Sequence, residues 1–74
     1  MIYSTEDIHT YGAFVQFGDA GYLIRCAMIE SIKVRRFPTE GTTDLTLRMC
    51  SGHKFRYTVR SDCILQVVEK LNGA

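Results

Sequence analysis

Two neighbouring stretches of the chain, residues 44–50 and 54–60, alternate between apolar and polar side chains with a period of two. This alternation is typical of β-strands that have one face on a core and the other face in water. The apolar members of the two stretches are Leu45, Leu47, Met49, Phe55, Tyr57 and Val59. The chain is therefore expected to contain a half-buried sheet with one polar face.

The polar face of this expected sheet is rich in positive charge. A third alternating stretch comes earlier, with Ile32 and Val34 on one side and Lys33 and Arg35 on the other. Six of the nine basic residues therefore project from one sheet face, namely Lys33, Arg35, Arg48, Lys54, Arg56 and Arg60. These six are the candidate binding residues, and their concentration predicts an anionic partner. The alternative is that they only keep an open sheet soluble.

Turn signals bound the other strands. The β-prone runs Ala13 to Phe17 and Tyr22 to Cys26 flank the turn 18–21, which predicts a hairpin. A bend at 27–30 should lead to a third strand that ends at Pro38, because proline donates no ladder hydrogen bond. The five strands are expected at residues 13–17, 22–26, 31–37, 44–50 and 54–60.

Residues 1–12 fit two descriptions. Ser4 or Thr5, followed by two acidic residues, would cap a single helical turn. Ile2 and Tyr3 would equally add an edge strand. The sequence leaves this segment open.

The fourth and fifth strands meet at the segment 51–53, where Gly52 supplies a positive φ. A three-residue loop there predicts that Arg48 faces Arg56, which is unfavourable by about 0.2–1 kcal/mol. An anionic ligand would relieve this repulsion, although both side chains can also splay into water. The other facing pairs would be Met49 with Phe55, Leu47 with Tyr57, and Asp44 with Arg60.

The end of the chain has helical periodicity, with apolar residues at Ile64, Val67, Val68 and Leu71. Ser61-Asp62 predicts the N-cap and Asn72-Gly73 the C-cap. A helix of about ten residues is not stable alone, so it must pack on the apolar sheet face. The predicted fold is α+β, a single domain over residues 1–74, with one antiparallel sheet of about five strands (β-β-β-β-β-α) and the C-terminal helix on one face.

The cysteine and histidine residues offer little chemistry. Cys50-x-x-His53 has the spacing of half a zinc site, with Cys26, Cys63 and His9 as conceivable partners, but structural zinc sites usually show two close pairs. Cys63 falls in the first turn of the predicted helix, where a thiolate is favoured, yet no histidine is placed beside it. We therefore expect no enzyme activity, metal or cofactor.

Length and composition set further expectations. A chain of 74 residues buries only about 60% of the surface that its unfolded form exposes, so a homodimer through a sheet edge is an arrangement that would stabilise it. Three widely spaced cysteines are not a disulfide framework. No export signal and no long apolar run is present, so we expect a cytoplasmic protein without membrane contact.

From Tyr22 onward the order of features resembles that of the small FlbD-like swarming and flagellar proteins. The features are the strand Leu23-Ile24, Ile29 to Ile32, Gly52-x-Lys54, Tyr57-x-Val59, Ser61 and the helix Val67 to Lys70. The first twelve residues, the longer loop 37–43 and the cysteines depart from that pattern. The resemblance implies a sheet-plus-helix architecture and assigns no functional residue.

The sequence thus predicts a non-enzymatic binding module of bacterial or phage type, an accessory, regulator or inhibitor whose basic sheet face docks on an acidic protein surface. The alternative is a nucleic-acid-binding regulator that contacts phosphates through the same face. Sheet readers of single-stranded RNA stack bases on exposed aromatic rings, whereas Phe55 and Tyr57 should point inward here. Only Phe37, and with less support Phe14 or Tyr22, would be available outside.

Overall fold

A computed structural model describes residues 1–72. In this part of the chain there are seven strands, three short 3₁₀ turns and one α-helix. The elements are β1 (Ile2–Tyr3), β2 (Ile8–Tyr11), β3 (Phe14–Phe17), β4 (Ile24–Arg25), β5 (Ile29–Phe37), β6 (Thr42–Met49), β7 (Lys54–Arg60) and α1 (Ile64–Leu71). None of the helices within residues 1–72 has the length and apolar character needed to cross a membrane.

The strands form two sheets. One has four strands in the order β1-β7-β6-β5, in which β1 runs parallel to β7 and the other neighbours are antiparallel. The other has three antiparallel strands in the order β2-β3-β4. The α+β class and the C-terminal helix are confirmed, but the expected single antiparallel sheet of about five strands is wrong.

The first twelve residues account for part of this difference, because they contain both of the structures that the sequence allowed. Ile2 lies beside Thr58 as the start of an edge strand. A 3₁₀ turn then covers Thr5–Asp7, where the backbone N–H of Ser4 donates to Asp7 Oδ2 at 2.8 Å. β2 follows, which the sequence analysis did not assign.

Two short connections build the small sheet. The β2–β3 connection starts at Gly12, whose φ of +60° suits the first loop position of a type II′ turn. The predicted β3–β4 hairpin is confirmed, with Val15 opposite Ile24. β4 has only two residues, and a 3₁₀ turn at Cys26–Met28 then redirects the chain. β5 therefore joins β6 in the other sheet.

The β6–β7 pairing differs from the expected one by two residues. The cross-strand pairs of β6 and β7 run as far as Arg48 with Lys54. The N–H of Met49 donates to the His53 carbonyl at 2.8 Å, so the turn encloses residues 50–52 in place of the expected 51–53, and Gly52 has a φ of +90°. The facing pairs are Leu47 with Phe55, Leu45 with Tyr57, Arg48 with Lys54, and Asp44 with Thr58. A shift of two residues preserves which side chains point inward.

The core lies between the four-stranded sheet on one side and the small sheet with the helix on the other. Its buried members are Ile8, Val15, Phe17, Ile24, Leu45, Leu47, Met49, Val59, Val67 and Leu71. The predicted inward face of β6 and β7 is thus confirmed. Val34, however, is 45% exposed. It lies on the edge strand β5, which the small sheet and the helix do not cover at this point.

The helix buries the predicted face, with Val67 and Leu71 fully enclosed. Its predicted N-cap is wrong, since Ser61 and Asp62 belong to a 3₁₀ turn and α1 begins at Ile64. Ser61 Oγ instead makes a 2.7 Å hydrogen bond with Thr43 Oγ1. At the other end Asn72 is the C-cap residue, and Gly73 lies outside the described residues.

Lys70 ties the helix to the N-terminal segment. Its Nζ donates to the carbonyl oxygens of Thr5 and Ile8, at 3.0 and 2.9 Å. Thr5 begins the 3₁₀ turn and Ile8 follows it, so the ammonium group bridges the two ends of this turn. The C-terminal helix and the N-terminal segment are therefore held together.

Candidate functional site: the open face of the four-stranded sheet

The register places all six candidate residues on the face of the four-stranded sheet that points away from the core, called the open face below. One row across the strands holds Lys33, Thr46 and Arg56, and the next holds Arg48 and Lys54. The other rows contain Arg35 with Asp44 and Thr58, and Phe37 with Thr42 and Arg60. The six basic side chains are all exposed. They thus share one surface, as the alternation indicated.

Asp44 stands in the middle of the open face. Its Oδ1 accepts a 2.8 Å hydrogen bond from the Thr58 hydroxyl, and its Oδ2 accepts a 3.0 Å bond from Arg56 Nη2. Only 14% of the carboxylate side chain is exposed. The Thr58 hydrogen bond, followed by that of Arg56, lowers the pKa of Asp44 below its usual value. The Asp44 carboxylate therefore fixes the orientation of the Arg56 side chain.

Two further cations of the open face form ion pairs with acidic side chains. Arg60 Nη2 lies 2.8 Å from Asp62 Oδ2, and Arg48 Nε lies 3.6 Å from Glu30 Oε1. Both pairs are largely exposed and contribute little to stability. None of the three acidic partners was predicted from the sequence, because Glu30 and Asp62 lie outside the strand of the arginine that each binds, and Asp44 was expected opposite Arg60.

Lys33, Arg35 and Lys54 make no ion pair within residues 1–72. The guanidinium carbon of Arg35 lies 5.2 Å from the centre of the Phe37 ring, a cation–π distance. Lys54 lies directly opposite Arg48, so the like-charge contact expected between Arg48 and Arg56 falls on this pair instead. A shallow depression of about 220 Å³ is lined by Lys33, Arg35, Asp44, Thr46 and Arg56.

The cysteine residues are placed apart from this surface. Cys50 is exposed, whereas Cys26 and Cys63 are partly buried. Burial raises the pKa of the Cys26 thiol, which lies 3.8 Å from the Lys70 carbonyl oxygen as a weak donor. A raised pKa favours the thiol form, which is the poorer nucleophile. Across residues 1–72, no three His, Cys, Asp or Glu side chains are grouped as metal ligands would be.

An apolar groove at one end of the sheet was not foreseen. It has a volume of about 640 Å³ and lies between the β6–β7 connection and the segment before β4. Phe55 forms its aromatic centre, with ring centres of Tyr22 at 5.2 Å and His53 at 4.7 Å. Leu23 and Met28 are exposed beside it. The signal in the sequence was the run of large apolar residues Tyr22 to Ile24, which was assigned to a predicted strand.

Comparison of the chain with protein-family models, with curated proteins and with solved structures found no match. The resemblance to the FlbD-like proteins therefore stays a prediction. The geometry of the open face is the basis for the functional proposal.

Proposed function

We propose that the protein is a non-enzymatic binding module of bacterial or phage type, which acts as an accessory, regulator or inhibitor by docking its open face on an acidic surface of a larger protein. The observation that carries this proposal is the set of exposed cations Lys33, Arg35 and Lys54, which make no ion pair within the described residues. The direct opposition of Arg48 and Lys54 adds to it. A partner carboxylate between two such cations would relieve their repulsion.

The scarcity of aromatic side chains on the open face favours an acidic protein over a nucleic acid as the partner. In the described sheet, Phe37 is the one aromatic side chain on the open side, and it is half-buried with Arg35 over its ring. Base stacking needs free aromatic faces. Contacts with phosphates through Lys and Arg remain the alternative function, since they need no stacking.

Charge reversal on the open face tests the proposal. The double variant Arg48→Glu/Lys54→Glu should lose binding to labelled polyglutamate, an experimental stand-in for an acidic protein surface, measured by fluorescence anisotropy. The matched control is Arg25→Glu/Arg36→Glu, because both arginines are exposed and neither belongs to the open face. The control should bind nearly as well as the natural protein. Equal loss in both variants would show that only net charge matters and would contradict docking through the open face.

The same titration with duplex DNA and single-stranded RNA separates the two functions. At about 50 and about 200 mM salt, several phosphate contacts would lose orders of magnitude in affinity. Tighter binding to nucleic acid than to polyglutamate, lost in the double variant, would replace the proposed function with its alternative. Binding to polyglutamate alone would support the acidic-protein partner.

A further inference from the structure

β5 is the outer strand of the four-stranded sheet and pairs only with β6. It is the longest strand, with nine residues. Within residues 1–72, its backbone has no strand partner on the far side. Such an edge presents a row of free N–H and C=O groups to which another strand can add.

The side chains along this edge define what kind of strand it would accept. Lys33 and Arg35 lie on the open face, whereas Ile32, Val34 and Arg36 lie on the inner side. Val34 is 45% exposed and Arg36 is exposed. The edge is therefore cationic on the open side and partly apolar on the inner side.

A second copy of the chain brings like charges together in several of the registers that this edge allows. In an antiparallel pairing centred on Lys33, that lysine faces its own copy, and a centre at Arg35 does the same to the arginine. A centre at Val34 places Lys33 opposite Arg35 twice. Like charges directly opposite each other destabilise a ladder. Centres at Lys33, Val34 and Arg35 all contain such a contact, whereas a centre at Ile32 places Lys33 opposite Ser31 and avoids it.

We propose that β5 adds an extended acidic segment of the partner protein as a further strand, with acidic side chains beside Lys33 and Arg35 and an apolar one beside Val34. This inference rests on the proposed function, because these two cations belong to the open face. It specifies that recognition includes backbone hydrogen bonds, which a docked folded surface would not make. Charge complementarity with the exposed Lys33 and Arg35 favours an acidic segment, and binding of a second copy is an outcome of the test.

The test uses a labelled synthetic peptide of about eight residues, a usual strand length, in which glutamate alternates with valine and threonine. Two control peptides accompany it. One has lysine in place of glutamate. The other keeps the glutamates but has proline in place of the valines, which removes the N–H donors at those positions and interrupts a regular ladder. We expect the first peptide to bind and both controls to fail.

Protein variants locate the contact. Lys33→Glu/Arg35→Glu should weaken peptide binding by at least about tenfold, since two attractive cross-strand contacts become repulsive. Arg25→Glu is the matched control, because Arg25 is exposed but lies on the small sheet and belongs neither to the open face nor to β5. On peptide binding, the β5 amides that do not face β6 should exchange their hydrogens more slowly.

The outcomes separate this inference from the proposed function. Equal binding of the proline peptide, or binding of polyglutamate but not of the alternating peptide, would overturn strand addition and leave docking on the open face intact. Failure of every acidic ligand would overturn both. A dimer in sedimentation, with slow exchange along β5 in the absence of peptide, would assign the edge to a second copy instead.

Discussion

Asp44 shows how a single residue organises a charged surface. It is the carboxylate at the centre of the open face, where it accepts hydrogen bonds from Thr58 and Arg56. These bonds favour its charged form, as the lowered pKa indicates. The hydrogen bond to Asp44 thereby holds the Arg56 side chain in a defined position among the exposed cations of the open face.

The Asp44 hydrogen bonds predict a dependence of stability on pH. A group with a depressed folded-state pKa adds stability above its unfolded value, about 3.9 for aspartate, and this stability is lost as pH falls through the lower folded value. The melting temperature of Asp44→Asn should therefore lie below that of the natural protein at pH 6, and the gap should narrow below about pH 4.

Glu40→Gln is the control for this pH series. Glu40 is exposed and its side chain makes no hydrogen bond or ion pair within residues 1–72. The variant should melt like the natural protein at both ends of the range. A gap for Asp44→Asn that stays constant down to pH 2 would show that the carboxylate charge does not contribute.

At the scale of strands, the register of β6 against β7 decides which charges meet. Alternation in the sequence assigns each side chain to a face, but it is unchanged by a shift of two residues. The turn at 50–52, one position earlier than expected, brings Arg48 opposite Lys54 and leaves Arg56 to bind Asp44. The like-charge pair is therefore a consequence of the turn.

This register predicts that Lys54→Glu stabilises the protein. The substitution turns a repulsive cross-strand pair into an attractive one and should raise the free energy of unfolding by about 0.2–1 kcal/mol. Urea unfolding would show a higher midpoint with an unchanged slope. Arg25→Glu, an exposed charge reversal on the small sheet, should give no such gain. A loss of stability in Lys54→Glu would argue against the Arg48–Lys54 register.

At the scale of the molecule, aromatic rings join the two sheets. Phe17 of β3 stacks on Tyr57 of β7, with ring centres 3.9 Å apart and planes within 3°. Tyr3 of β1 contacts both rings edge to face, at 5.6 and 5.8 Å. One core therefore depends on elements from both sheets, and they should unfold together.

Phe17→Ala tests this coupling. Loss of a buried phenylalanine side chain should cost about 3–5 kcal/mol and lower the protection of amides in both sheets. Phe14→Ala is the matched control, because Phe14 lies on the same strand but is 36% exposed, and it should cost clearly less. Opening of the small sheet alone in Phe17→Ala would show that the sheets are independent.

Much of the local structure could be predicted from the sequence. The alternation of residues 44–50 and 54–60, the turn glycines and the helical spacing of Val67 and Leu71 depend on neighbours within a few positions. The inward and outward faces of β6 and β7, the β3–β4 hairpin and the buried side of the helix are accordingly as predicted. The six cations share the open face for the same reason.

Tertiary structure alone decided the rest, because it depends on residues far apart in the chain. A parallel pairing of Ile2 with Thr58 carries no local signal, and neither does the division into two sheets at Cys26–Met28. Ion pairs such as Arg48 with Glu30 require the actual register and turn length. Periodicity specifies the face of a strand, whereas its neighbours and the charges that meet across them follow only from the packed molecule.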